Sequence, residues 1–383
     1  MNPLRYTVRL GAVLVVLSAV LGPVPAGSAP VSRRAPAERT VAVSGADAQQ
    51  RDRQLAGRRI VLSYAGPTPP PEVLRTIREG RAAGVILFGE NVQSPEQLAQ
   101  AVGQLRQAAA ESRVPGALLL MTDQEGGRVR RLPGAPELSA RRVGAAPNPL
   151  HAATEAGAGA AATLTDAGLN VNLAPVLDVA GAPDDFIDHH ERSFGRDPSV
   201  VARLGSAFLA AQQGLGVAAT AKHFPGLGSA AQEENTDARP VTLPVPLEEL
   251  RARGEEPYRA AIAAGVRLVM ASWAVYPALD PARPAGLSPT VVQGELRERL
   301  GFEGVTVTDA LEAGALDPYG DTGARAVAAA AAGMDLILCS ARDPQQAEQA
   351  TEALAAALGS GRLDRGAFAA AVARIDDLRA SLS

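Results

Sequence analysis

The chain has 383 residues, 46% of them apolar, enough to bury a large core, and a formal charge of −4 with its basic residues scattered among acidic ones. That balance excludes wholesale disorder, and without a basic stripe to neutralise phosphates no nucleic acid is expected as a partner. One cysteine, Cys339, excludes an intrachain disulfide, and four histidines without HExxH or CxxC spacing give no recognisable metal cluster, so neither a metal nor another cofactor is expected.

The N-terminus carries Arg5 and Arg9, an apolar run from Leu10 to Leu21, and small residues through Ala29. This is the layout of a cleavable secretory signal over residues 1–29. The run is shorter than the roughly 20 residues that span a bilayer, so a secreted, extracytoplasmic protein without a stable membrane span is expected. Residues 30–57 lack periodicity and are read as a flexible linker, which leaves 58–383 as the folded body.

From there, short β-rich runs alternate with longer Ala- and Leu-rich amphipathic stretches, the pattern of parallel strands joined by helical crossovers. Strands are predicted at Arg59 to Tyr64, Val85 to Gly89, Ala117 to Thr122, Leu169 to Pro175, Val217 to His223, Arg267 to Ser272, Val305 to Asp309 and Asp335 to Ser340. Between them lie helices such as Pro95 to Ser112, Leu150 to Ala167, Leu247 to Ala264 and Gln345 to Leu358. Gly84, Gly168, Gly216, Gly265, Gly304 and Gly333 each precede a strand and are read as helix C-caps. Eight such units predict an α/β protein with a (β/α)8 TIM barrel as its single catalytic domain, plus an extra C-terminal helix from Arg365 to Leu382 packing outside. An open doubly wound sheet is the alternative, but no P-loop or GxGxxG follows an early strand.

In such a barrel the chemistry sits at the C-terminal strand ends. Strand three ends in Asp123-Gln124-Glu125-Gly126-Gly127-Arg128, whose charge could equally be that of a solvated loop. Strand four offers Asn172 and Asp178, then a loop from Asp188 to Gly195 with adjacent His189 and His190; neighbours on extended backbone face opposite ways, which disfavours a shared ion. Strand five ends in Lys222-His223 beside a Pro/Gly turn, suited to binding hydroxyls, with a Schiff-base lysine as the competing reading. Strand seven ends in Asp309 after an apolar run, a costly position unless the carboxylate is working, or caps the next helix.

Taken together, Asp-Gln-Glu-Gly-Gly-Arg-Val at 123–129, Glu-Arg-Ser-Phe-Gly at 191–195, Lys-His-Phe-Pro-Gly-Leu-Gly at 222–228 and Thr-Asp-Ala-Leu at 308–311 resemble glycoside hydrolase family 3, in the family's order. The resemblance implies that Asp309 is a nucleophile and that Asp123, Arg131, Arg192, Lys222 and His223 hold the terminal sugar. It is nearest to the single-domain β-N-acetylglucosaminidase branch, which implies a retaining hydrolase acting on N-acetylhexosaminides from cell-wall fragments or chitooligosaccharides, as a monomer with carbohydrate as its partner.

That branch carries an acid/base histidine in an Asp-Ser-His stretch after strand five. Here the stretch reads Glu233-Glu234-Asn235-Thr236-Asp237-Ala238-Arg239-Pro240, and no histidine follows His223. Asp237 and Glu234, with Glu233 behind them, are the replacement candidates, and any of them needs a raised pKa to act. If none does, the expectation is a sugar-binding homologue with weak turnover.

Overall fold

The computed structural model describes residues 45–382; the expected signal segment and the linker as far as residue 44 lie outside the described residues. Short, buried and mostly apolar runs form eight parallel strands: β1 Ile60–Leu62, β2 Gly84–Ile86, β3 Leu119–Thr122, β4 Val171–Asn172, β5 Ala218–Phe224, β6 Leu268–Ala271, β7 Val305–Thr308 and β8 Ile337–Leu338. Each pairs with its neighbours in sequence, and β8 returns to β1 with Ile337 opposite Ile60. A bridge from Val307 to Leu336, with Thr308 N donating to Leu336 O at 3.0 Å, closes β7 onto β8. The protein is a (β/α)8 barrel, as the alternation predicts.

Alternate residues on each strand face opposite ways, and they fall into separate apolar clusters. Val61, Ile86, Met121, Leu268, Met270, Val305, Val307 and Leu338 fill the barrel interior, while Ile60, Leu62, Val85 and Leu120 pack under the outer helices. Ile375 and Leu378 of the C-terminal helix Arg365–Ser381 join the interior group. That helix therefore plugs the N-terminal mouth of the barrel instead of lying outside it: Arg379 Nε donates to Ala117 O at 2.7 Å before β3, and Arg374 pairs with buried Asp335 at 2.7 Å before β8.

Two other expectations need correction. Among the described residues the folded body includes a helix ahead of Arg58: Gly45–Gly57 packs along Pro344–Gly359. It buries Ala56 and pairs Asp52 with Arg365 at 2.7 Å and Arg53 with Glu348 at 3.0 Å. An aperiodic polar sequence hid this helix because tertiary packing, not its own pattern, holds it. Of the six glycines read as caps, four take left-handed φ, but Gly84 and Gly304 do not. A β-carbon there would lie 2.3 Å from Leu119 O and 2.7 Å from Arg267 O, so these glycines serve close approach between strands; Gly80 and Gly301 make the left-handed turns.

Candidate active site

The C-terminal strand ends surround a pocket of about 530 Å3. Its floor is a chain of alternating charges. Lys222, near the end of β5, reaches Asp123 and Glu125 at 2.7 Å each, and Arg192 grips Glu125 through two bonds of 2.9 and 2.8 Å. Arg131 stands 4.0 Å from Asp123. A short hairpin, Gln124–Gly126 with Val129–Arg130, turns the chain back after β3 and brings Asp123, Glu125 and Arg131 to one side.

Burial alone would drive the Glu125 carboxyl up, but Arg192 and Lys222 outweigh it and hold that carboxyl far below the usual range. Burial would likewise lower Lys222, yet Asp123 and Glu125 raise it, so the amine stays an ammonium. A Schiff-base lysine needs a free amine near neutrality; this lysine is a buried cation paired with two carboxylates. Glu125 was not singled out in the sequence, although its i, i+2 spacing from Asp123 on an extended chain puts the two on one face.

His223 follows Lys222. Its Nδ1 lies 2.7 Å from Asp178 Oδ2, and Asp178 Oδ1 accepts the backbone N–H groups of His223 at 3.2 Å and Leu227 at 2.7 Å. With a carboxylate on Nδ1, that nitrogen carries the proton and Nε2 remains for a ligand. Asp178 is wholly buried and acts on the pocket through His223. Of the adjacent histidines, His190 lines the pocket, while His189 faces Gln232 at 3.0 Å.

Asp309 comes directly after β7, its Oδ1 accepting Ala310 N at 2.7 Å. It does not cap the next α-helix, Thr322–Ala332, whose cap is Asp321 through Ala324 N at 2.8 Å. Asp237 lines the same pocket from the loop after β5. Asp237 is an exposed residue as a whole, but loss of water around its carboxyl and the negative field of Asp309 push that carboxyl up to about 6, with His223 and Arg192 opposing. Glu312, which the sequence reading missed, adds to that negative field; Ser340 Oγ at 2.8 Å and Gln346 Nε2 at 3.0 Å hold it there. Glu234 is not brought to the pocket. Its Oε2 accepts Ala231 N at 2.8 Å and closes a turn inside the loop.

Two carboxylates, Asp237 and Asp309, share the pocket with the N–H donors of Arg131, Arg192 and Lys222, an arrangement chemically able to break a glycosidic bond. Comparison with known proteins agrees: residues 60–378 match the model of the glycosyl hydrolase family 3 N terminal domain. The chain belongs to this family. An uncharacterized secreted glycosyl hydrolase of Arthroderma benhamiae is 45% identical over 86% of this chain and 93% of its own. A beta-hexosaminidase of Stenotrophomonas maltophilia is 36% identical over 73% of this chain and 82% of its own. Among solved structures, the family 3 beta-N-acetylglucosaminidase of Paenibacillus sp. superposes with a TM-score of 0.81 at 37% identity; the match covers 86% of this chain but only 62% of that one. The beta-N-acetylhexosaminidase of Beutenbergia cavernae gives 0.74 at 34% identity over 86% and 97%. This family 3 member is a glycosidase.

Proposed function

We propose that the protein is a retaining glycosidase that removes terminal β-linked N-acetylhexosamine from cell-wall fragments or chitooligosaccharides. Asp123, Arg131, Arg192, Lys222 and His223 hold the terminal sugar. The Asp309 carboxylate attacks the anomeric carbon as the bond to the leaving oxygen breaks, and the Asp237 carboxyl gives that oxygen its proton. Asp237, now a carboxylate, takes a proton from water, which attacks the same carbon and releases Asp309.

The observation that carries this reading is the pairing of Asp237 with Asp309 in one pocket: the negative field of Asp309 disfavours the charge of Asp237, and the raised carboxyl of about 6 on Asp237 suits a proton donor. Two relatives at 34–36% identity bear beta-hexosaminidase or beta-N-acetylhexosaminidase names, which supports the acetamido sugar. The secreted relative and the signal-like residues 1–29 support export and loss of that segment. No described helix is long and apolar enough to cross a membrane, and we propose a monomer.

The test is hydrolysis of 4-nitrophenyl N-acetyl-β-D-glucosaminide beside the β-glucoside. Turnover of the acetamido substrate, lost in Asp309→Asn with a fluorosugar trapped on Asp309 of the wild type, supports the reading. Silence on both substrates with N-acetylglucosamine still bound would replace it with a sugar-binding protein.

A further inference from the structure

Asp237 sits on a loop, residues 229–240, that contains turns but no helix or strand. Among the described residues no side-chain hydrogen bond fixes its carboxyl, so its position depends on the backbone that carries it. The loop is seated by two bonds from the stretch that follows Asp309. Gly314 N donates to Asp237 O at 2.8 Å, and Ala315 N donates to Thr236 O at 3.0 Å. Thr236 is buried beneath this contact.

The contact requires glycine for one reason. A β-carbon at Gly314 would lie 2.4 Å from Ala238 O and 2.6 Å from Ala238 C, closer than real β-carbons come to any atom. Backbone conformation imposes no such demand, because the φ of Gly314 lies outside the left-handed region. Alanine would be acceptable to the local chain and unacceptable only to the opposing loop.

We propose that the amides of Gly314 and Ala315 form a catch that seats the Asp237 loop on the Asp309 loop before substrate arrives, with Gly314 as a positioning residue for proton donation. The inference rests on Asp237 being the acid/base. Nucleophile and proton donor then hang from one pair of backbone bonds, so their spacing is preset and less of the binding energy goes into closing a mobile loop.

Two measurements test it. In the free full-length wild type, hydrogen exchange should find the Gly314 and Ala315 amides protected; exchange at the rate of open loops overturns the proposal without any variant. Kinetics then compare Gly314→Ala and Asp237→Ala on methyl and 2,4-dinitrophenyl N-acetyl-β-D-glucosaminides, because a dinitrophenolate leaves without a proton. A general acid contributes about 10²- to 10⁴-fold. Gly314→Ala is expected to lower kcat/KM on the methyl glycoside by about tenfold or more and to change it less than about twofold on the dinitrophenyl one, a weaker copy of Asp237→Ala. If Asp237→Ala shows that selectivity and Gly314→Ala matches wild type on both substrates, the catch is wrong and the acid assignment stands. If Asp237→Ala shows no dependence on the leaving group, the acid assignment fails and the catch falls with it.

Discussion

Asp178 holds His223 twice, at the ring Nδ1 from 2.7 Å and at the backbone amide from 3.2 Å. One buried carboxylate thus sets both the position of the residue and the rotation of its ring. Asp178→Asn keeps the volume but offers an amide where two acceptor oxygens stood. A hydrogen bond to a charged group contributes about 1.5–3 kcal/mol, so kcat/KM should fall about ten- to hundredfold. Unchanged kinetics in a variant that melts like wild type would show that His223 needs no such hold.

The Glu125 carboxylate joins Lys222 and Arg192 at distances of 2.7 to 2.9 Å. Removing one partner of a buried ion pair leaves uncompensated charge and costs about 3–5 kcal/mol, so Glu125→Ala should lower the urea midpoint strongly. Its folded-state pKa is depressed, so its contribution is present above the unfolded value of about 4.3 and is lost as pH falls below it. Acid unfolding of Glu125→Gln should accordingly depend less on pH below about 4.3 than that of wild type, as read by denaturation at fixed pH.

Asp237 has the opposite sign. With its carboxyl at about 6, kcat/KM on a methyl glycoside should decline above pH 6 as the donor loses its proton, and Glu312→Gln should move that decline to lower pH. The dinitrophenyl glycoside should lack it. A raised carboxyl holds its proton more tightly when folded, so its stabilising contribution is present below about 4 and is lost as pH rises through 6. Asp237→Asn should therefore be more stable than wild type above pH 6, by thermal melting.

The helix Gly45–Gly57 ties itself to both Pro344–Gly359 and the start of Arg365–Ser381. Deleting residues 45–57 should lower Tm by several degrees, since each kcal/mol is about 2–4 °C in a domain approaching this size. Activity per folded molecule should be retained, because no residue of this helix lines the pocket that holds Asp237 and Asp309. A proportionate loss of turnover would show that the helix reaches the site after all.

Much of this was legible in the residues themselves. Strand runs such as Val305 to Asp309 are apolar, short and ended by a polar group, so both the barrel and the place of its nucleophile candidate could be read from pattern. Asp237 could be picked out because a loop lacking histidine left few donors. What pattern could not supply was anything made by distant segments meeting. Gly45–Gly57 is polar on its own and helical only against another helix; Ile375 and Leu378 read as one more outer face, yet they plug the barrel. Glu312 matters through a partner 28 residues away in sequence, and a one-dimensional reading ranks such a carboxylate with every solvated one.

The charges at the pocket floor satisfy one another: Asp123, Lys222, Glu125 and Arg192 form an unbroken run of opposite neighbours. A sugar entering there meets no starved ion and can gain little from bare attraction. Its hydroxyls must instead fit the leftover lone pairs and N–H groups of groups that cannot shift without disturbing their neighbours. If the proposed sugar site is right, such a floor should work as a rigid stencil, binding the fitting sugar modestly and rejecting an epimer with one hydroxyl inverted, whose misplaced oxygen would displace water without replacing its hydrogen bonds.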